Sequence, residues 1–360
     1  MQKSHPPIMA AQSLVADQWE SDRRPLSFPF APPACDGTLI DVVPGEIRWL
    51  RMPLPLALNH INLYLLRDFE GWCLVDTGFD TPLTRTLWEQ IIPALEGPIT
   101  GIICTHHHGD HCGLAGWLTE KLRVPLYMSR AEYFAMRIFH DSLALESWEY
   151  KEYYRRCGIG TAEFNQIADA VKLLRGESTL AFAYHRLADG DELTVGSHRW
   201  LVQTGDGHSP EHCSLHCAEL GILLSGDQLL ARISPNVGVL PFEPDANPLA
   251  EWLAAIERVG RLPDDALVLP AHELPFFGLG RRAFELKQHH LNVLERLVDF
   301  CKEKPDTVCG LSRRLFKDRH GPLDSILAVS ETQAHISYLW AQGRVTQHLK
   351  ADGSFEYRLA

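Results

Sequence analysis

The chain has 360 residues with 45% hydrophobic content, enough for a large core organised as one big domain and a small one. Its 34 basic and 46 acidic side chains leave a net charge of −12, whereas a nucleic-acid binder ordinarily concentrates basic residues on one surface. No apolar stretch approaches the eighteen or so residues of a membrane span, so a bilayer is not an expected partner.

In chain order, Met1 to Pro33 is Pro-rich and polar and has no continuous apolar segment behind a basic start. Residues 1–45 read as an N-terminal arm without a secretory signal, and a cytoplasmic location is expected. Nine cysteines form an odd set, and Cys73 and Cys104 lie inside apolar strand-like runs, as reduced buried thiols do. Ile61 to Leu66 and Trp72 to Asp76 predict strands around an Asp68 to Gly71 turn, and Pro82 to Leu95 predicts a helix with proline in its first turn. Thr100 to Cys104 predicts a buried strand, Gly113 to Leu122 a helix and Pro125 to Ser129 a strand.

Residues from Ala131 to about 175 depart from this alternation. Their aromatic residues, among them Tyr133, Phe139, Trp148 and Tyr154, recur near helical spacing. They predict a helical insertion that walls or covers a pocket, with Trp148 and Tyr154 as candidate substrate contacts. Strand signals resume from His185 to Leu229, and Glu251 to Arg261 is an amphipathic helix. Residues 46–290 therefore form the main domain.

Residues 291–360 read as a separate module. Asn292 to Lys302, Val308 to Phe316 and Ser330 to Gln342 are helical in pattern, and Arg344 to Leu349 with Ser354 to Leu359 forms a hairpin closed at Ala351-Asp352-Gly353. Three helices and a hairpin resemble a winged helix. The third helix offers Glu331, His335 and Trp340 but no Lys or Arg before Arg344, so packing or homodimer formation leads over phosphate binding. Removal of the tail from about Pro305 is expected to leave the main domain's activity intact, provided the core stays soluble.

The chemistry concentrates in Thr105-His106-His107-His108-Gly109-Asp110-His111, directly after the apolar run Ile99 to Cys104. His106 and His108 alternate along extended or tightly turned backbone, and Asp110 and His111 follow where the chain must bend, so two adjacent clusters can face two ions. Further donors sit at strand ends: His208 in a Gly-rich turn after Arg199 to Gln203, Asp227 after Ile222 to Gly226, and His272 after Ala266 to Ala271. Cys112 follows His111 directly, but the His and Asp set is complete without it.

These motifs resemble those of the metallo-β-lactamase-fold superfamily of hydrolases over roughly residues 46 to 290. His106, His108, Asp110 and His111 match its His-x-His-x-Asp-His signature. His208 matches the first histidine of the Gly-His-Ser/Thr-Pro-Gly-His motif, Asp227 and His272 match the bridging aspartate and final histidine, and Val75-Asp76-Thr77-Gly78 matches a Val-Asp-Thr-Gly turn. Asp206 and Glu211 depart from the proline and second glycine usual in the histidine-glycine motif.

The resemblance implies an α/β (α+β) fold, the four-layer αββα sandwich. It implies that His106, His108 and His208 hold one metal, that Asp110, His111 and His272 hold another, and that Asp227 bridges them. Asp76 supports the ligand loop by hydrogen bonds. Two divalent ions, zinc first and iron or manganese as alternatives, would share a water as a bridging hydroxide, with Asp110 orienting it and passing a proton to the leaving group.

The carboxylate at position 227 points to the glyoxalase-II-like branch rather than to true β-lactamases, and Leu230 stands where related lactonases carry tyrosine. Hydrolysis of a small ester or thioester leads. An RNA or phosphodiester endonuclease and a ligand-binding regulator with weak hydrolase activity are the alternatives. Arg155-Arg156, Arg281-Arg282 and Arg313-Arg314 are the basic pairs that could receive an anionic substrate, and Arg232 and Asn236 are candidate substrate contacts beyond Asp227.

Overall fold

The computed structural model describes residues 24–56, 58–140, 145–175, 179–317 and 321–360. Strands β1 (Leu39–Val43), β2 (Ile47–Pro53), β3 (His60–Arg67) and β4 (Trp72–Val75) run antiparallel to one another. Helix α1 (Pro82–Ala94), opened by a reciprocal Thr81–Thr84 cap with Pro82 in the first turn, returns the chain to β5 (Ile99–Ile103) parallel to β4. Helices α2 (Gly109–Cys112) and α3 (Ala115–Leu122) lead to β6 (Leu126–Ser129). Helices α4 (Arg130–His140), α5 (Trp148–Arg156) and α6 (Thr161–Arg175) then precede β7 (His185–Leu187), which completes a seven-stranded sheet in chain order.

The second sheet contains β8 (Glu192–Val195), β9 (His198–Gly205), β10 (His212–Cys217), β11 (Ile222–Gly226) and β12 (Leu267–Pro270), in the order β12-β11-β10-β9-β8. Helix α7 (Pro248–Val259) carries the crossover between parallel β11 and β12. Trp49, Tyr64 and Ile103 of the first sheet meet Trp200, Val202, Leu215, Leu224 and Leu269 of the second in one buried layer. Outside it, Trp88, Leu118 and Met136 cover Leu63, Leu74 and Ile102, while Trp252 and Ile256 cover Leu223 and Val268. The result is the expected αββα sandwich. Strands with helices on one face and a sheet on the other are buried on both, which is why β3, β4 and β11 read as nearly unbroken apolar runs.

The remaining elements are α8 (Leu279–Glu303), β13 (Asp306–Thr307), α9 (Val308–Leu315), α10 (Pro322–Ala341), β14 (Val345–Leu349) and β15 (Phe355–Leu359), with sheet order β13-β15-β14. The structure shifts three expected boundaries. Leu39–Val43, expected in the arm, is the edge strand β1, and Ser27 pairs with Phe277; residues 1–23 lie outside the described residues. The helix expected from Asn292 begins at Leu279, because its buried positions Ala283, Leu286, His290, Val293 and Leu297 continue the same stripe without a break at residue 291. The helix expected from Ser330 begins at Pro322, which fits a first turn because the amide it lacks would have had no partner there.

Nor does the tail form a core of its own. Val308, Leu311 and Ile336 share one buried cluster with Trp252 and Val268 of the second sheet's outer layer, and with Tyr153, Tyr154, Phe164 and Ile167 of the insertion.

Candidate metal centre

Every donor predicted from sequence lies beyond the C-terminal end of a strand, Asp110 and His111 in the short helix α2 that follows β5. Cys104 to His108 follow β5 and lead into α2, His208 follows β9, Asp227 follows β11 and His272 follows β12. Two glycines make these turns possible. Gly207 has φ +109 and a Cβ there would lie 2.4 Å from that of Trp252; Gly226 has φ +51 and a Cβ there would lie 2.5 Å from His212 Nε2.

The donor atoms of His106, His108, His208 and Asp227 lie within 4.8 Å of one another, and so do those of Asp110, His111 and His272. His106 Nε2 is 2.8 Å from His108 Nδ1 and 3.3 Å from His208 Nε2. Asp227 faces both groups: its Oδ2 is 3.4 Å from His208 Nε2 and 3.6 Å from His111 Nε2, and its Oδ1 is 3.5 Å from His272 Nε2. Asp110 Oδ2 is 3.3 Å from His272 Nε2.

For three of the rings the far side fixes the tautomer. His208 Nδ1 donates to the Asn236 carbonyl at 2.8 Å, His272 Nδ1 donates to the His60 carbonyl at 3.0 Å, and His111 Nδ1 donates to Asp76 Oδ2 at 2.8 Å. An acceptor behind Nδ1 keeps the proton there and leaves the Nε2 lone pair facing inward, as metal-ligating imidazoles require. His111 Nε2 and Asp227 Oδ1 are buried without a hydrogen-bond partner among the described residues, which fits atoms that serve as ligands.

Electrostatics divide the site. Burial and the neighbouring imidazoles hold His106 and His108 well below the usual histidine range, so both are neutral donors. Burial also opposes charge on His111, but Asp110, Asp76 and Asp227 outweigh it and raise the imidazole's affinity for a proton. Asp227 is itself held well below the ordinary carboxylate range: burial opposes its charge, and His272 and His111 override that. Closely placed carboxylates and imidazoles of this kind favour a divalent cation over protons at neutral pH.

Several participants escaped the sequence. Glu132 on α4 is fully buried and accepts from His107 N at 3.0 Å, from His107 Nδ1 at 2.6 Å and from Glu211 N at 2.9 Å, and Ser209 Oγ donates to it as well. It thereby ties the loop after β5 to the loop carrying His208, two segments with no sequence proximity to it. His212 Nε2 accepts from the Asp227 amide at 3.1 Å; its signal was the second histidine of the glycine-rich motif. Thr105 Oγ1 joins Asp76 at 2.9 Å to His106 Nδ1 at 3.0 Å.

The four expected substrate contacts take different places. The Arg232 guanidinium sits 4.9 Å over the Phe28 ring, drawn to an aromatic face of the N-terminal segment. Asn236 turns its side-chain amide to α10, donating to the Leu327 carbonyl and to Glu331 Oε2, both at 3.2 Å, and only its carbonyl serves the site. Tyr154 is buried against Tyr150, Tyr153 and Phe164, because an aromatic at the centre of a helix pair gains more from packing than from facing solvent. Trp148 is 71% exposed at the start of α5. Phe139 at the end of α4 instead stacks on His107 at 4.8 Å between ring centroids, with Phe242 edge-on to it at 5.5 Å. Cys112 donates to the His107 carbonyl at 3.0 Å and belongs to neither donor group.

Residues 57–272 match the family described as "Metallo-beta-lactamase superfamily", and residues 294–360 match "Metallo-beta-lactamase-like, C-terminal domain". A probable metallo-hydrolase of Bacillus subtilis (strain 168) is 26% identical over 313 residues, covering 83% of this chain and 93% of that protein. A hydroxyacylglutathione hydrolase of Pseudomonas savastanoi pv. phaseolicola is 24% identical over 263 residues, covering 72% and 79%. Among solved structures, a beta-lactamase domain protein from Burkholderia ambifaria is 38% identical with a TM-score of 0.86, covering 93% of this chain and 98% of that one. A metallo-beta-lactamase family protein from Thermus thermophilus is 30% identical with a TM-score of 0.75, covering 89% and 100%.

Proposed function

We propose that this chain, which belongs to the metallo-beta-lactamase superfamily and is a metallo-hydrolase, cleaves a small ester or thioester at a centre of two divalent metals. The observation that carries the dinuclear assignment is the single carboxylate of Asp227, which stands between two separate groups of donors. His106, His108 and His208 would hold one ion, Asp110, His111 and His272 the other, and Asp227 both; imidazole and carboxylate donors suit zinc, iron or manganese. Such ions, when bound, supply a water whose pKa falls from about 15.7 towards 7 and polarise the acyl oxygen.

The protein's own part is orientation and proton handling. Asp76, Asn236 and His60 hold three imidazoles in the donor tautomer. Asp110 is the more accessible of the two central carboxylates, at 18% against 10% for Asp227. Although burial opposes it, His111 and His272 keep Asp110 below the ordinary carboxyl pKa, so it is ionised and would orient the attacking water by accepting its hydrogen bond; passing a proton on to the leaving group would be its second role.

Ester or thioester cleavage is supported by the aromatic pair of Phe139 and Phe242 against the ligand-loop residue His107, which suits a small organic group, and by a relative named hydroxyacylglutathione hydrolase. Leu230 is buried and offers no hydroxyl to a lactone. An RNA substrate finds little support in the basic pairs. Arg155 and Arg156 bind Glu152, Arg281 binds Glu285, Arg282 donates to the Leu230 and Ile233 carbonyls, Arg313 binds Glu163 and Arg314 binds Glu303.

Elemental analysis combined with a hydrolysis screen over thioesters, esters, lactones, β-lactams and phosphodiesters tests this function. Thioester or ester turnover should vanish with chelation, return with added metal, and drop by orders of magnitude in Asp227→Ala together with at least one metal equivalent. Full metal content in that variant would sink the bridging role, and faster phosphodiester cleavage would make the protein a nuclease.

A further inference from the structure

We propose that helices α8 and α10 hold an additional cation site, formed by His290, Glu331 and His335, for a divalent ion of the zinc class. His290 comes from α8, and Glu331 and His335 stand four residues apart on one face of α10. Both imidazoles are fully buried, and the donor atoms of the three residues lie within 4.8 Å of one another.

Proton placement makes this a donor set. His335 Nδ1 lies 2.8 Å from the Glu331 carbonyl, which only accepts, so the proton is on Nδ1 and the Nε2 lone pair is free. That Nε2 faces His290 Nδ1 at 3.0 Å. The other His290 nitrogen, Nε2, is 3.3 Å from Ser234 Oγ, whose own hydrogen reaches the Pro235 carbonyl at 3.3 Å. The Ser234 hydroxyl serves either partner: turned to the Pro235 carbonyl it accepts from His290 Nε2 and leaves the His290 Nδ1 lone pair facing the first, and turned to His290 Nε2 it leaves Nδ1 donating to His335 Nε2; the first arrangement is the one that binds a cation.

Two imidazole nitrogens 3.0 Å apart with a carboxylate within ligand reach repeat the arrangement of His106, His208 and Asp227. The Glu331 carboxylate is steered by Asn236 Nδ2 at 3.2 Å, as ligating carboxylates usually are. Burial lowers His290 to about 2 and His335 to about 4, so neither imidazole is charged and a cation meets no competing positive group from the pair. Two nitrogens and one carboxylate oxygen leave a fourth, tetrahedral position for water.

The site also connects to the metal centre. Asn236 gives its side-chain amide to Glu331 and its carbonyl to His208 Nδ1, so an ion that fixes Glu331 also fixes the backbone that orients a donor of the metal centre.

The test compares metal content of the full-length wild type, Glu331→Gln and His335→Gln by elemental mass spectrometry after dialysis, with folding checked by circular dichroism. Each variant should hold one equivalent less than wild type. The readout is this difference and not the total, so it does not depend on how many ions the catalytic cluster binds. Glu331→Gln keeps the side-chain shape and decides the matter if His335→Gln does not fold. Equal metal content in wild type and folded Glu331→Gln would overturn the site and leave a hydrogen-bonded relay from Ser234 through His290 to His335. A double variant Asp227→Ala/Glu331→Gln that holds as much metal as Asp227→Ala alone would place the lost equivalent in the catalytic cluster and overturn the site as well.

Discussion

Asp76 sits in the left-handed region at φ +59, where its Oδ1 accepts from the Thr105 amide at 2.8 Å and its Oδ2 accepts from His111 Nδ1 at 2.8 Å. Asparagine tolerates the same backbone, so Asp76→Asn removes charge behind His111 without backbone strain. Metal affinity should fall about 10- to 100-fold while the fold persists, measured by competition with a chelating dye; unchanged affinity would reduce Asp76 to a turn residue. Asp206 behaves differently. Burial, with Glu211 and Glu132 nearby, lifts its carboxyl from 3.8 to about 6. Between those values the folded chain keeps a proton that the unfolded chain releases, so stability falls as pH rises through this window and the loss is complete above about 6. Asp206→Asn should therefore melt higher than wild type at pH 8 and no higher below pH 4; equal melting curves at both would contradict the raised carboxyl.

The insertion divides by element. Helix α4 reaches the metal centre through Glu132 and Phe139, whereas α5 and α6 turn their aromatic faces into the core shared with the C-terminal helices. Phe139→Ala should raise KM for a good substrate with metal content unchanged, because it removes a wall and no ligand. Tyr154→Ala should instead cost about 3–5 kcal/mol of stability, as truncation of a buried aromatic does, read from urea unfolding. A stable Tyr154→Ala protein with altered KM would restore Tyr154 to the pocket.

Across the whole molecule, the C-terminal elements are bound into the sandwich. Helix α8 passes residue 291 unbroken, the Val239 amide donates to the Ser330 carbonyl at 3.2 Å, and Val308 and Ile336 share a core with Trp252. The expectation that hydrolysis survives removal of the tail from about Pro305 is therefore replaced: a chain ending at Lys304 should lose soluble expression and metal, because it exposes one side of that core. A soluble, active truncated protein would show that the two layers fold separately. No helix among the described residues is long and apolar enough to cross a membrane.

The sequence by itself marked the strands and the candidate donors, and the resemblance of its motifs supplied the sandwich. Runs such as Ile99 to Cys104 and Ile222 to Gly226 must be buried strands, and a histidine or aspartate set at the end of such a run has a fixed place at the sheet's edge. These are local patterns, legible because strand and ligand are contiguous. Tertiary structure alone decided what lies behind and around the donors: Glu132 joining two loops, the Asn236 carbonyl orienting His208, Tyr154 buried instead of facing a pocket, and the tail sharing its core. Hydrogen-bond partners and core neighbours far apart in the chain leave no periodic trace in it. Only packing the layers together brings Glu132 to Ser209 or Glu331 to Asn236.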